Sequence, residues 1–194
     1  MYVANILYPV EVLGPGKRVG IWVSGCERRC IGCMSPELLV RDEKQQISID
    51  TLFMLINEIK SGKAEGDVPQ IDGFTISGGE PFLQSEQLCR LLKRLRTLSD
   101  DILVYTGYTL EELVEFPDES VRECLSHIGV LIDGPFMHER AGGALRGSDN
   151  QRIHILNSTL EKMYNEYCNI YENELQTFVS GESVMVVGIQ RRAE

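Results

Sequence analysis

No run of about 18 apolar residues occurs in the 194-residue chain, so no membrane-spanning helix is expected and no membrane partner. The opening stretch, MYVANILYPVEVLG, has no basic segment leading into an apolar one, so secretion is not expected and the chain is assigned to the cytoplasm. Cations are in deficit: 19 Lys and Arg face 29 Asp and Glu, a formal net charge of −10. A surface of that sign repels phosphate backbones, which argues against a nucleic-acid partner. Histidine is scarce, and His127, His138 and His154 stand at no metal-binding spacing. There is no G-x4-G-K-[ST] phosphate loop. Gly14, Gly16 and Gly20 follow G-x-G-x3-G with no helix pattern after them, which rejects a dinucleotide site. Six cysteines in 194 residues are too few for a disulfide scaffold. With no repeat, low-complexity segment or linker, the chain reads as one domain over 1–194. Its motif-bearing core spans about 13–156, and a C-terminal helix and strand occupy 157–194.

What is present is an alternation of short apolar runs and amphipathic stretches. Val19 to Ser24 (VGIWVS), Ile71 to Ser77 (IDGFTIS), Ile102 to Tyr105 and Val130 to Ile132 read as buried strands. Helices are expected from Asp50, with Leu52, Phe53, Ile56 and Ile59 on one face, and from Ser85, with Leu88, Leu91, Leu92 and Leu95. Thr109 and Glu112 form a capping box opening another. Residues 61–70 and the Gly-rich 141–151 read as loops. From Thr159 a helix carries Leu160, Met163, Tyr164, Tyr167, Cys168 and Tyr171 on one stripe, and SVMVVGI is a late strand. This order implies an α/β fold with a mostly parallel sheet. A closed eight-stranded barrel takes about 250 residues, so a partial, open parallel β/α barrel is expected.

Three of the cysteines crowd into one loop: Gly25-Cys26-Glu27-Arg28-Arg29-Cys30-Ile31-Gly32-Cys33, spaced C-x3-C-x2-C. Positions i, i+4 and i+7 would share a helix face, but Gly25 and Gly32 oppose a helix there. Structural zinc uses four ligands, and no fourth Cys or His is near: the next are Cys89 and His127. Three thiolates suit an iron–sulfur cluster, whose fourth iron stays open to a substrate. Cys89, Cys124 and Cys168, isolated in sequence, read as buried free thiols.

The cysteine spacing after a strand is similar to the signature of the radical S-adenosylmethionine superfamily. Gly32, where most members have an aromatic, resembles one branch, the activating proteins of the anaerobic ribonucleotide reductase. Further blocks resemble the same branch in order: Leu13-Gly-Pro-Gly-Lys-Arg18, Trp22 with Gly25, Thr75-Ile-Ser-Gly-Gly-Glu-Pro-Phe82, Tyr105-Thr-Gly-Tyr108, Leu131-Ile-Asp-Gly-Pro-Phe136 and Arg146-Gly-Ser-Asp-Asn-Gln-Arg152. Met34-Ser35 departs from the usual Tyr-Asn, and the region after residue 152 is longer than in the compact members.

The resemblance implies a barrel of the radical S-adenosylmethionine type with Cys26, Cys30 and Cys33 as catalytic ligands of a [4Fe–4S] cluster. It implies S-adenosylmethionine as cofactor, bound around Gly32, Cys33, Met34, Gly78, Gly79 and Glu80. Gly78 and Gly79 would let the methionine moiety approach the backbone, while Glu80 would contact its amino group or brace the turn. Thr106 and Asp133, at strand ends, would contact ribose or methionine, or serve only as turn residues. Arg152, with Gly147, Ser148, Asn150 and Gln151, would face adenosine or a partner, or form a solvated loop. The implied activity is reductive cleavage of S-adenosylmethionine and formation of a glycyl radical on a partner, foremost the anaerobic ribonucleotide reductase. The electron would come from a small protein such as flavodoxin or ferredoxin. Another glycyl radical enzyme as target, a small-molecule enzyme such as a deazapurine synthase, and an electron-transfer module without turnover remain open alternatives.

Overall fold

A computed structural model describes residues 1–62, 70–170, 174–181 and 183–189. Six strands form one sheet in sequential order: β1 (Val3–Val10), β2 (Arg18–Val23), β3 (Gly73–Gly78), β4 (Ile102–Tyr105), β5 (Val130–Asp133) and β6 (Arg152–Ile155). β2 to β5 run parallel, while the edges β1 and β6 pair antiparallel to β2 and β5. The fold is thus mixed α/β with a mostly parallel central sheet. Among the described residues the sheet does not close into a barrel.

The helices are α1 (Ile49–Lys60), α2 (Ser85–Leu95), α3 (Leu110–Glu115), α4 (Glu119–His127) and α5 (Glu161–Ile170). Local chemistry accounts for their starts. Ser48 Oγ accepts the Thr51 N–H at 3.0 Å ahead of α1, and Thr109 and Glu112 make the reciprocal capping box ahead of α3. Leu88, Leu91, Leu92 and Leu95 are fully buried along one stripe of α2. No helix among the described residues is long and apolar enough to cross a membrane.

The two faces of the sheet are distinct because strand side chains alternate. Val19, Ile21, Phe74, Ile76, Ile102, Val104 and Leu131 point to one face and share a single core with α1 to α4. Leu103, Val130 and Ile132 point to the other face, where Leu160 and Tyr164 pack. This second face also carries a hairpin of β7 (Leu175–Ser180) and β8 (Ser183–Gly188). Phe178, Met185 and Val187 of the hairpin pack with Val10, Val12, Leu13 and Trp22. Arg18 is wholly buried on this second face. It holds Asp101 through two nitrogens, at 2.5 and 3.0 Å, and Thr75 Oγ1 at 2.7 Å, while Tyr164 donates to Asp101 at 2.6 Å.

Several elements are absent from the sequence reading. β1 contains Pro9 and has six half-buried residues in a row, so it lacks a clean period of two. β6 is a four-residue strand directly after a Gly-rich loop. α4 buries only Val121 and Cys124 and shows little apolar stripe. In α5 the expected stripe is narrower: Tyr164 is buried and Tyr167 and Cys168 pack beside it, whereas Met163 is exposed. Tyr171, and residues 63–69 of the loop expected over 61–70, lie outside the described residues.

Candidate functional site

The cysteine loop leaves the end of β2 and is pinned at its start. Gly25 N–H and Cys26 N–H donate to the carbonyls of Leu38 and Leu39 at 2.8 and 3.0 Å. Arg29 takes a positive φ of 47° and Gly32 one of 66°, which fold the chain back on itself. Cys26, Cys30 and Cys33 remain free thiols, each half-buried. All three line one cavity of about 600 Å³ at the C-terminal ends of the parallel strands. Burial pushes the Cys26 thiol upward, with Glu80 and Cys30 adding to the shift against the Arg28 and Arg29 N–H groups.

The turn after β3 adjoins this loop. Gly78, Gly79, Glu80, Thr106 and Gly107 line the same cavity as the cysteines. The Glu80 carboxylate is 1% exposed and fully engaged. Its Oε1 accepts from Phe82 N–H at 3.1 Å and from Thr106 Oγ1 at 2.9 Å, and its Oε2 accepts from Gly107 N–H at 2.8 Å. Burial raises its pKa to about 7 even though these donors and Arg28 favour the charged form. Glu80 therefore braces the turn.

The glycines have a structural reason of their own. A Cβ on Gly79 would lie 2.4 Å from the Gly25 carbonyl oxygen, and one on Gly78 (φ 108°) would lie 2.3 Å from that of Val23. The turn is pressed against the base of the cysteine loop: Gly79 N–H donates to Val23 O at 2.7 Å and Glu80 N–H to Gly25 O at 2.8 Å. Close approach here is first between two backbones, and room for a ligand comes in addition.

Two expected contacts are placed away from the cavity. Gly32 is exposed and not part of the lining; a Cβ there would strike the His138 ring, 2.3 Å from Nδ1. Asp133 is fully buried and does not line the cavity. Its carboxylate accepts from Leu110 N–H at 2.6 Å and from Arg152 at 3.1 and 2.5 Å, and His154 Nε2 lies 3.0 Å away. Burial alone would raise Asp133, but these partners hold it below the usual carboxylate range. Arg152 is spent on Asp133 and Glu111 rather than on a ligand. Of its neighbours, Gly147 and Gln151 line the cavity. Ser148 accepts from Met137 N–H at 3.1 Å and Asn150 donates to Pro135 O at 2.8 Å, so both act within the loop.

Residues missed in the sequence complete the walls. Arg28, inside the cysteine loop, donates to Gly107 O at 2.5 Å and stacks on Tyr108 at 4.7 Å. Phe136, Tyr105, and Leu175, Val186 and Val187 of the hairpin close the apolar side, while Met34, named with Cys33 among the expected cofactor contacts, lies at the rim, 47% exposed. No spacing rule announces an arginine between two ligand cysteines. A second cavity of about 710 Å³, between β1 and α1, holds Glu58 and otherwise apolar or amide side chains, with no cysteine.

The donor set fits a cluster better than a single ion. Three thiols line the cavity, the Glu80 carboxylate beside them is already spent on three donors, and no other cysteine and no histidine lines it. The three sulfurs are not gathered within 4.8 Å of one another as the donors of one ion would be.

Residues 12–154 match the family model described as a 4Fe-4S single cluster domain. The chain is 34% identical over 154 residues to the anaerobic ribonucleoside-triphosphate reductase-activating protein of Vibrio cholerae, covering 76% of this chain and 94% of the relative. To the protein of that name in Haemophilus influenzae it is 38% identical over 160 residues, with the same coverage. To that of Enterobacteria phage T4 it is 30% identical over 153 residues, 76% of this chain and 90% of the relative. The family match ends before α5 and the β7–β8 hairpin begin.

Proposed function

This chain belongs to the family of anaerobic ribonucleoside-triphosphate reductase-activating proteins, built on a 4Fe-4S single cluster domain, and from that membership we propose how its cavity works. It is an oxidoreductase that activates a partner, the anaerobic ribonucleoside-triphosphate reductase, by generating a glycyl radical on it. The observation that carries the reading is the shared cavity, lined together by the three cysteines of one loop and by Gly78, Gly79 and Glu80 of the turn packed against it.

When bound, the [4Fe–4S] cluster supplies the electron that cleaves S-adenosylmethionine into methionine and the 5′-deoxyadenosyl radical that abstracts the glycine hydrogen. Cys26, Cys30 and Cys33 would hold the cluster, three thiolates for four irons. The Gly78-Gly79 backbone, packed against the base of the cysteine loop, would fix the wall on which the methionine moiety is bound. Glu80, with a pKa near 7, keeps a proton or a negative charge within the wall, and Thr106 orients its Oε1. Phe136 and the hairpin residues Leu175, Val186 and Val187 keep water from the apolar side, where adenosine would lie. The four parallel strands, with every intervening helix on one face, support reading the sheet as part of an open barrel of the radical S-adenosylmethionine type. The reaction suits a cytoplasmic chain served by a flavodoxin- or ferredoxin-like donor.

The test mixes anaerobically reconstituted, reduced protein with S-adenosylmethionine and the candidate reductase and records the electron paramagnetic resonance spectrum. A glycyl doublet that requires all three components, about four irons per chain, and loss of both iron and doublet in Cys30→Ala are expected. Cofactor consumption with no glycyl signal on any candidate reductase would transfer the reading to a small-molecule substrate.

A further inference from the structure

On the face of the sheet away from the cavity, α2 and α4 pack side by side and bring together three residues that are far apart or unremarkable in sequence. Cys89 comes from the middle of α2; Glu123 and His127 stand one turn apart on α4. The Cys89 sulfur, a Glu123 carboxylate oxygen and a His127 ring nitrogen all lie within 4.8 Å of one another. Cys89 is 3% exposed, whereas His127 is half-buried and Glu123 faces solvent, so the cluster forms a rim open to solution on one side.

We propose that Cys89, Glu123 and His127 form a second metal site, separate from the iron–sulfur centre, for a borderline-soft divalent cation of the zinc class. Thiolate, imidazole and carboxylate are the donors that zinc takes, and three of them with a fourth position left to water is a complete coordination set. A tetrahedral site with Zn–S near 2.3 Å and Zn–N or Zn–O near 2.0 Å sets its ligand atoms roughly 3.5 Å apart. With the three atoms already within 4.8 Å of one another, the triad needs a closure of at most about 1.3 Å.

The hydrogen bonding already marks the ion's place. Cys89 Sγ donates to Glu123 Oε2 at 3.1 Å, so a proton occupies the line between two would-be ligands. Lys93 Nζ holds the other oxygen, Oε1, at 2.5 Å and turns Oε2 toward the sulfur. Binding replaces the thiol proton, which leaves to solvent, and keeps Lys93 as the outer partner of the carboxylate. The His127 ring nitrogen completes the set from the half-buried end of α4, one turn from Glu123. Cys124, also on α4, touches the Cys89 thiol but donates to the Ser85 carbonyl at 3.4 Å and is not one of the three converging donors. A cation here would clamp α2, which follows the Gly78-Gly79-Glu80 turn, to α4, which precedes β5.

The experiment uses full-length Cys26→Ala/Cys30→Ala/Cys33→Ala protein, so that no cation can occupy the cluster ligands, and titrates it with Cd2+. A thiolate-to-cadmium charge-transfer band saturating at one equivalent is expected. Cys89→Ser should abolish the band and Cys124→Ser should leave it. Glu123→Gln or His127→Ala should weaken binding by more than the ~10–100-fold that outer hydrogen-bonding partners of a metal site contribute. No band, or a band surviving Cys89→Ser, overturns the proposal. Because the triple variant could fail to fold, cluster-loaded wild type is compared with Glu123→Gln/His127→Ala, whose changes are not in the core. Zinc retained through gel filtration should be one per chain in the first and absent in the second; equal zinc in both also overturns it.

Discussion

Gly107 is held through both of its backbone polar groups by side chains from two other segments: Glu80 Oε2 accepts its N–H at 2.8 Å, and Arg28 donates to its carbonyl at 2.5 Å. One residue thus locks together the cysteine loop after β2, the glycine turn after β3 and the end of β4. The cavity walls keep their spacing because these three segments cannot move independently. Glu80 is the buried and Arg28 the more exposed of the two clasps.

The buried clasp makes stability pH-dependent. The folded-state pKa of Glu80, about 7, lies above the 4.5 of an unperturbed glutamate, so the folded chain binds the proton more tightly than the unfolded one. Stability contributed by Glu80 is then full below about pH 4.5 and is lost as pH rises through 7, by at most about 3 kcal/mol. His127, whose pKa is lowered, contributes with the opposite sign below its unperturbed value, so the difference between wild type and Glu80→Gln isolates the effect. Urea midpoints of apoprotein at pH 5 and pH 8 should converge toward those of Glu80→Gln at the lower pH only. Parallel shifts at both pH values would refute it.

The exposed clasp should matter to the cluster more than to the fold. Arg28→Ala removes the bond to Gly107 and the stack on Tyr108, freeing the loop between Cys26 and Cys30. Global stability should fall by about 1 kcal/mol or less, while iron loss to a chelator should accelerate several-fold. Arg28→Lys should not restore the slow loss, because a lysine cannot both stack flat and donate to the carbonyl. A chelation rate unchanged in Arg28→Ala would refute the clasp.

Gly79→Ala should disturb the metal centre as well as the cofactor. Its Cβ would collide with the Gly25 carbonyl, one residue before Cys26, at 2.4 Å. An overpacking cost of about 1–3 kcal/mol and reduced iron on reconstitution are expected together. Full iron with weakened S-adenosylmethionine binding alone would show instead that the glycine serves only the ligand.

Asp133→Asn tests whether that carboxylate belongs to the cofactor. It is enclosed by Arg152, Leu110 N–H and His154, so the change should destabilise the chain by about 2–4 kcal/mol and leave S-adenosylmethionine affinity of the folded protein unaltered. Arg152→Ala should destabilise in the same direction. A tenfold loss of affinity in Asp133→Asn without loss of stability would return Asp133 to the cavity.

The amino-acid sequence alone determined whatever depends on neighbours within a few residues. The thiol spacing of Cys26, Cys30 and Cys33, the Thr109–Glu112 box, the leucine stripe of α2 and four parallel strands are local patterns. Capping bonds, helical period and loop ligation act over one or two turns of chain. Tertiary structure decided the rest, because a side chain's role depends on which distant group it meets. A polar residue at a strand end reads alike whether it lines a cavity, as Thr106 does, or is enclosed in an ion pair, as Asp133 is. A glycine pair reads alike whether it makes room for a ligand or for another backbone, and at Gly79 the nearer neighbour is Gly25. The antiparallel edges β1 and β6 depend on pairing partners that no single segment specifies. Cys89 stands at no sequence spacing from the Glu123–His127 pair; only the packing of α2 on α4 brings a thiol, a carboxylate and an imidazole within reach of one ion.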